Sequence, residues 1–384
     1  MRATQILRQF EGELRDVHLA RSRAVFAAVR MVLRSGRLSL TCLGRAIAER
    51  TSPKHGIKRI DRLLGNARLH SEQLTFYRAI ARRVVGSAAR PVILVDWTSV
   101  TPKLWALVAA VPFEGRALVI YAETHSIAEY LKPHVNAGFL RAPRSVLPDG
   151  CRPIVVTDAG FRSPWMKLVE GMGWDYISRV RHGTLQYIKG TVWMGLVPLW
   201  RRTRTEPTDL GHFELGRQAR YPCRLVGIRK ANALLKPTSP RGSGIEPGGR
   251  RKRRTALEPW LLATSLSDPA KAVVAMYRQR MHIEETFRDA KSSRFGISLC
   301  HARTSSADRA NVLVLLASLS HLVAVLVGMA AEAAGLHRQF QANTVRTKRV
   351  LALATLGRMI AASNEVIFPQ LLRKTLRVTG ALTS

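Results

Sequence analysis

At 384 residues the chain is long enough for two or three domains that each bury a core. Its 61 Lys and Arg against 26 Asp and Glu leave a formal charge of +35, far beyond what solubility needs, so a polyanionic partner is expected. A hydrophobic content of 46% makes this a folded protein decorated with cations and excludes a disordered basic tail. The four cysteines, Cys42, Cys151, Cys223 and Cys300, stand more than 70 residues apart in no paired metal-ligand spacing, which argues against zinc. With a start, MRATQILRQF, that lacks an apolar signal core, they predict a reducing cytoplasm.

Residues 1–88 read as a basic helical domain in which Lys54, Lys58, Arg59 and Arg62 crowd one stretch, as a small helical DNA-binding unit would require; a merely solvated basic face has the same pattern. From Pro91 the pattern changes to short apolar runs. PVILVDWT, ALVAAVPF and ALVIYAET give three strands in a meander, and a mostly helical interval follows. CRPIVVTD then gives a fourth strand, SPWMKLVEGM a helix and WDYISRV a fifth strand. Three antiparallel strands followed by strand, helix and strand is the order of a ribonuclease H-like α/β domain, which sets the ends of strands one and four, Asp96 and Asp158, side by side.

Residues 183–265 break this rhythm with short strand-like pieces such as CRLVGIRK and EPWLLATSL, and read as a β-rich insertion holding a Pro/Gly-rich basic loop at 236–254. The core resumes over 266–335, and 336–384 form a basic helical tail. Residues 312–330 carry no formal charge over 19 positions, the length of a short membrane span; His321, Ser318 and Ser320 interrupt them and charges flank them, so a buried core helix is expected and no membrane partner.

The segment MYRQRMHIEETFRDAK, 276–291, sets Tyr277, Arg280, Glu284 and Lys291 three, four and seven residues apart. On one continuous helix, at about 100° per residue, these side chains fall within an arc of roughly 60°, a carboxylate flanked by cations and a phenol. Glu285 points about 100° away, so Glu284 is the catalytic candidate. Met276, Ile283, Phe287 and Ala290 form an apolar edge that would pack the helix on a sheet. An ordinary salt-bridged helix shares this spacing, and an aspartate that merely ends a strand or caps a helix would look like Asp96 or Asp158. The joint pattern points further: Asp96, Asp158 and Glu284 can together hold two magnesium ions, since each ion takes one or two carboxylates, and that donor set suits displacement at a phosphodiester. His282 and His301 have no metal-ligand spacing and read as solvated or core histidines.

With these residues in view, the chain resembles the DDE transposases of the bacterial insertion-sequence-four family, of the cut-and-paste, hairpin-forming type. The family's Tyr-x2-Arg-x3-Glu-x6-Lys signature is met by Tyr277, Arg280, Glu284 and Lys291. Further similarity lies in KHGIKRIDRLLGN, VILVDWT, VVTDAGFRSPW, EPWLLATSL and RMHIEETFRDAKSSRFG running into HARTSS, and so covers nearly the whole chain. The resemblance implies a ribonuclease H-like core with a β-rich insertion and a homodimer acting on paired terminal inverted repeats of double-stranded DNA at the bacterial nucleoid. It implies two Mg2+ ions, with Mn2+ able to substitute, on Asp96, Asp158 and Glu284, and phosphate contacts from Tyr277, Arg280 and Lys291. It also implies that Trp260, which by itself reads as a core tryptophan, stacks on a base extruded as the hairpin forms. The reaction implied is nicking, hairpin formation, hairpin opening and joining to target DNA. A non-transposing metal-dependent nuclease of the same fold would share the three carboxylates, and an inactive transposase-derived repressor would share the basic surface.

Overall fold

The computed structural model describes residues 3–48, 51–181, 183–187, 190–229, 258–293, 296–299, 303–342, 344–345 and 347–363. They divide into two compact units, one formed by 1–151 with 281–384 and the other by the continuous segment 152–280. The loop expected at 236–254, His301 and the last part of the expected helical tail lie outside the described residues.

The first unit begins with five helices, α1 (Ala3–Arg8), α2 (Leu19–Ser35), α3 (Leu40–Ile47), α4 (Pro53–Leu64) and α5 (Ala67–Val85). Their starts are written locally: Ser39, Ser52 and Asn66 each accept a backbone N–H of the first turn, and Pro53 opens α4 where no N–H is needed. Three strands follow, β1 (Val92–Ser99), β2 (Leu104–Phe113) and β3 (Arg116–Ser126), and pair as an antiparallel meander in the order β3-β2-β1. The β2–β3 connection is the two-residue loop Glu114 and Gly115, with φ of 46° and 74°, the left-handed pair that matches strand twist in a tight hairpin. Helix α6 (Pro133–Val146) ends this part of the unit.

The second unit opens with β4 (Ile154–Thr157), α7 (Ser163–Gly171) and β5 (Asp175–Val180), and β4 and β5 are parallel, as a crossover through a helix requires. It continues through β6 (Leu185–Tyr187), α8 (Val197–Arg202), β7 (Thr208–Leu215), β8 (Tyr221–Ile228), β9 (Trp260–Thr264) and α9 (Ala270–Arg278). Strand order is β4-β5-β9-β8-β7-β6, with every pair after β5 antiparallel. The expected β-rich segment is thus a set of antiparallel strands that extends the β4/β5 pair, with one short helix.

The chain then returns to the first unit as α10 (Met281–Lys291), α11 (Ala307–Ala333), α12 (His337–Phe340) and α13 (Leu353–Ala362). The helix expected to run unbroken through 276–291 is two helices. Gln279 and Arg280 form a turn, with Gln279 N–H bonded to Met276 O at 3.1 Å and Arg280 N–H to Tyr277 O at 3.0 Å. No Gly or Pro forces this. Tyr277 is buried in the second unit and Ile283 in the first, so the two halves answer to different cores and the chain turns between them. The single helical phase linking Tyr277 and Arg280 to Glu284 and Lys291 therefore does not hold.

Helix α11 is the spine of the first unit. It is long and apolar enough to cross a membrane, yet 89% of its most apolar window is buried against α13, β3, α2 and α5. It meets α13 at backbone distance: a Cβ on Gly357 would stand 1.8 Å from Ala324 O, and one on Gly328 would stand 2.1 Å from Leu353 O. Gly357→Ala should destabilise the protein by about 1–3 kcal/mol, because a methyl group there can be housed only by moving a helix. Gly138→Ala, in α6 with nothing within 4 Å of the added carbon, should be neutral or stabilising by up to about 1 kcal/mol. Urea unfolding midpoints of the two variants check the contrast.

Candidate active site

Helix α10 is seated on the meander by one polar anchor in an apolar face. Ile283 is fully buried, and one turn on, the Thr286 hydroxyl accepts the Ala117 N–H at 2.7 Å, its one proton lying between His282 O at 3.0 Å and Ala117 O at 3.2 Å. Arg116 Nε adds an ion pair to Asp289 Oδ2 at 2.6 Å. With Ile283 and Thr286 turned inward, Glu284 turns to a cleft at the end of β1, whereas Glu285 accepts from Arg288 Nη1 at 2.8 Å.

That cleft has a volume of about 320 Å³, and Asp96, Ser99, Trp105, Glu284, Phe287 and Lys291 are among its walls. Asp96 Oδ1 accepts the Trp97 N–H at 2.8 Å, and Lys291 Nζ donates to Ser99 Oγ at 3.0 Å. Two carboxylates, the Arg288 guanidinium and an ammonium from β1 and α10 thus share one open space in the first unit.

The second unit gathers the other candidates. Asp158 directly follows β4 and accepts the Gly160 N–H at 2.8 Å, a turn that fixes one carboxylate oxygen. Tyr277 is buried with the Trp260 ring edge-on at 5.0 Å. Burial raises the Tyr277 phenol above its ordinary range; Arg280 and Arg179 pull it down and Asp158 pushes it up. Arg179 on β5 is itself lowered, chiefly by burial. Glu258 answers Arg181 Nε at 2.9 Å and Arg179 Nη2 at 3.9 Å. Asp158, Arg179, Trp260, Tyr277 and Arg280 form one electrostatic neighbourhood.

In the first unit, Lys54, Lys58, Arg59 and Arg62 are all exposed along α4. Arg179, Thr286 and Trp105 were not singled out by the sequence. For Thr286 the signal was present: it lies three residues after Ile283 and four before Ala290, a polar side chain on the apolar stripe.

Among the described residues no three His, Cys, Asp or Glu side chains stand together as a metal-binding group. The pair that does share a cleft, Asp96 and Glu284, supplies hard oxygen donors in the number a single magnesium ion takes from protein. The residues fit such an ion. The described cysteines are free thiols, and burial pushes that of Cys223 up to about 12, unsuited to metal binding.

Residues 132–320 match the family model of the transposase DDE domain. The match spans just under half the chain and takes in Asp158, Trp260, Tyr277, Arg280, Glu284 and Lys291, with Asp96 outside it. It supports a DDE transposase, a DNA-cleaving and DNA-joining enzyme of a class that generally uses divalent metal ions, and a mixed α/β fold of helices and mostly antiparallel strands is consistent with its core. No curated protein matches the chain.

Behind α10 a partly open, mainly apolar cavity of about 70 Å³ is lined by Phe287, Thr286, Val108, Val314 and His321 of α11. Burial pushes the His321 imidazole down from 6.5 to about 4, with Asp289 opposing and Arg116 adding to the shift. A histidine depressed in the folded state leaves the unfolded chain to bind the proton first. Its contribution is therefore intact above about pH 6.5 and lost progressively as pH falls towards 4, on the order of 3 kcal/mol in all. Urea unfolding at pH 7, 5.5 and 4 should show His321→Leu losing less stability across this window than the unaltered chain.

Proposed function

We propose that the chain is the transposase of an insertion sequence of the insertion-sequence-four type: it binds terminal inverted repeats as a homodimer, excises the element through a hairpin intermediate, and joins its 3′ ends to target DNA. The observation that carries this reading is the cleft where Asp96 of β1 and Glu284 of α10 stand with Lys291, in a chain matched over Asp158, Glu284 and Lys291 by the transposase DDE domain. The antiparallel β1–β3 meander and the parallel β4/β5 pair are the parts a ribonuclease H-like core would need.

In this reading Asp96, Asp158 and Glu284 hold two magnesium ions, which when bound lower the pKa of an attacking hydroxyl and offset the charge of a leaving oxygen. Lys291 places a mobile ammonium, and Arg280 a guanidinium, against phosphates near the cut, positioning the strand and spreading its charge. Tyr277, buried beside Arg280, orients that guanidinium as well as reaching towards the DNA. Nicking, hairpin formation, hairpin opening and joining are each an in-line displacement at phosphorus with a different nucleophile, so one set of residues serves all four. Trp260 leads β9 and remains partly exposed beside Tyr277, as a ring that stacks on an extruded base would have to be. The exposed cations of α4 supply affinity for repeats.

Glu284→Ala should abolish metal-dependent cleavage of DNA taken from the ends of the segment that encodes the chain while leaving binding intact; Glu285→Ala, which removes only a partner of Arg288, should change cleavage little. Gel assays of cleavage and of binding on one substrate check both, and equal loss from the two variants would refute the assignment of Glu284.

Binding should fall steeply with salt, by roughly 10³ to 10⁵ between 50 and 200 mM for an interface that neutralises six to ten phosphates. The double variant Lys58→Ala, Arg59→Ala should flatten the logarithmic slope by about 2. A slope that does not move would return α4 to the role of a solvated face.

A further inference from the structure

The cleft that holds Asp96 and Glu284 also presents an aromatic surface. Trp105 is half-buried at its wall, and in the strand register it lies directly opposite Ser99, the residue that receives Lys291. Opposite residues of an antiparallel pair hold their Cβ atoms about 5 Å apart, so the indole and the ammonium's anchor are immediate neighbours. Behind Trp105 stands Tyr130, whose ring centroid lies 4.9 Å away and which is 41% exposed; Trp97, next to Asp96 in β1, meets Tyr130 edge-on at 5.5 Å. Tyr130 thus bridges the two tryptophans that line the cleft, edge-on to Trp97 and tilted against Trp105.

Tyr130 is held where it is. The turn that carries it is tied to the β2 edge by Ile127 N–H to Lys103 O at 2.9 Å, and closed by Lys132 N–H to Glu129 O at 3.0 Å. Leu131, the next residue, has φ of 58°, a left-handed conformation that a branched side chain adopts only when its surroundings impose it. His125, opposite Trp105 in β3, meets Glu123 at 2.9 Å and Glu129 at 3.6 Å, bracing the same turn, and packs on Trp97 at 5.8 Å. The braced turn thus keeps one ring partly in water while packing it on Trp97 and Trp105, two residues that line the cleft.

We propose that Trp105, backed by Tyr130, is a stacking platform for one nucleobase of the DNA, next to the phosphate that Lys291 and the two carboxylates address. The proposal rests on the function inferred above and adds a positioning contact to it. A nucleobase offers a flat π-face that any aromatic side chain can match, so the platform would hold the nucleotide at the cut without reading its identity. Trp105 is then a positioning residue: it fixes where the phosphate stands in the cleft.

The test uses the full chain and duplexes spanning the ends of the DNA that encodes it, with 2-aminopurine at successive positions around the cut. Bound to the unaltered chain, one position should show a quench that survives Trp260→Ala; Trp105→Ala should relieve that quench and slow nicking roughly 5- to 100-fold, and Trp105→Phe should keep most of both. With an abasic nucleotide at the quenched position, the unaltered chain and Trp105→Ala should nick at the same rate. Tyr130→Ala, altered at a partly exposed ring, should give a weaker form of the same pattern and covers the case in which Trp105→Ala does not fold. A quench indifferent to both variants, or a rate loss as large on the abasic duplex as on the normal one, overturns the platform while leaving the transposase reading in place. Failure of the unaltered chain to nick any of these duplexes with magnesium overturns that reading and the platform with it.

Discussion

The hydrogen bond from the Ala117 N–H to the Thr286 hydroxyl decides where everything on α10 points. A helix lying on a sheet by apolar contact alone can rotate a few tens of degrees at small cost, whereas a hydroxyl that accepts from a β3 N–H at 2.7 Å, with its own proton shared between His282 O of the helix at 3.0 Å and Ala117 O at 3.2 Å, tolerates little rotation. Once Thr286 is fixed, Ile283 fills the interior, Glu284 faces the cleft, and Lys291, two turns further on, reaches Ser99 at the end of β1. The Arg116 to Asp289 pair, beside the same anchor, secures the far half of the helix. The precision of the cleft therefore comes from a residue outside it.

Much of this was legible in the amino-acid sequence because it obeys local periodicities. Short apolar runs in VILVDWT and its two successors, about a dozen residues apart, predicted the meander, and the 3.6-residue phase separated Glu284 from Glu285 without any knowledge of neighbours. The same phase rule failed across residues 276–291 because it assumes one helix in one environment. Tyr277 and Ile283 are both buried, yet in different units, and no residue type at Gln279 or Arg280 announces the turn. Trp105 escaped notice for a related reason: in ALVAAVPF and its flanks it looks like one more apolar strand residue, and only the cross-strand register, which depends on the turn at 100–103 with its Thr101 N–H to Leu104 O bond at 3.0 Å, sets it opposite Ser99.

The two units differ in how their charge is managed. In the second, Arg179 and Arg280 act on a buried phenol and Arg181 and Glu258 act on Arg179, so cations are held close together partly out of water, at a desolvation cost. In the first, the cations of α4 stand in solvent, where they repel one another weakly and attract a polyanion from a distance. One arrangement suits a contact made at short range and in one geometry, the other an early and forgiving encounter.

The first unit is assembled from two stretches of chain separated by the whole of the second. Strands β1 to β3 are complete at Ser126, but the helix that covers them, α11, ends at Ala333, about 200 residues later. At a synthesis rate of 5–20 residues per second, the meander's apolar face waits roughly 10–40 seconds for its cover, while 152–280 can close its own core as soon as it emerges. Birth order thus makes the N-terminal half of the protein the ward of its C-terminal half, and places the most aggregation-prone interval of its life on the ribosome, before the last turn of α11 has been made.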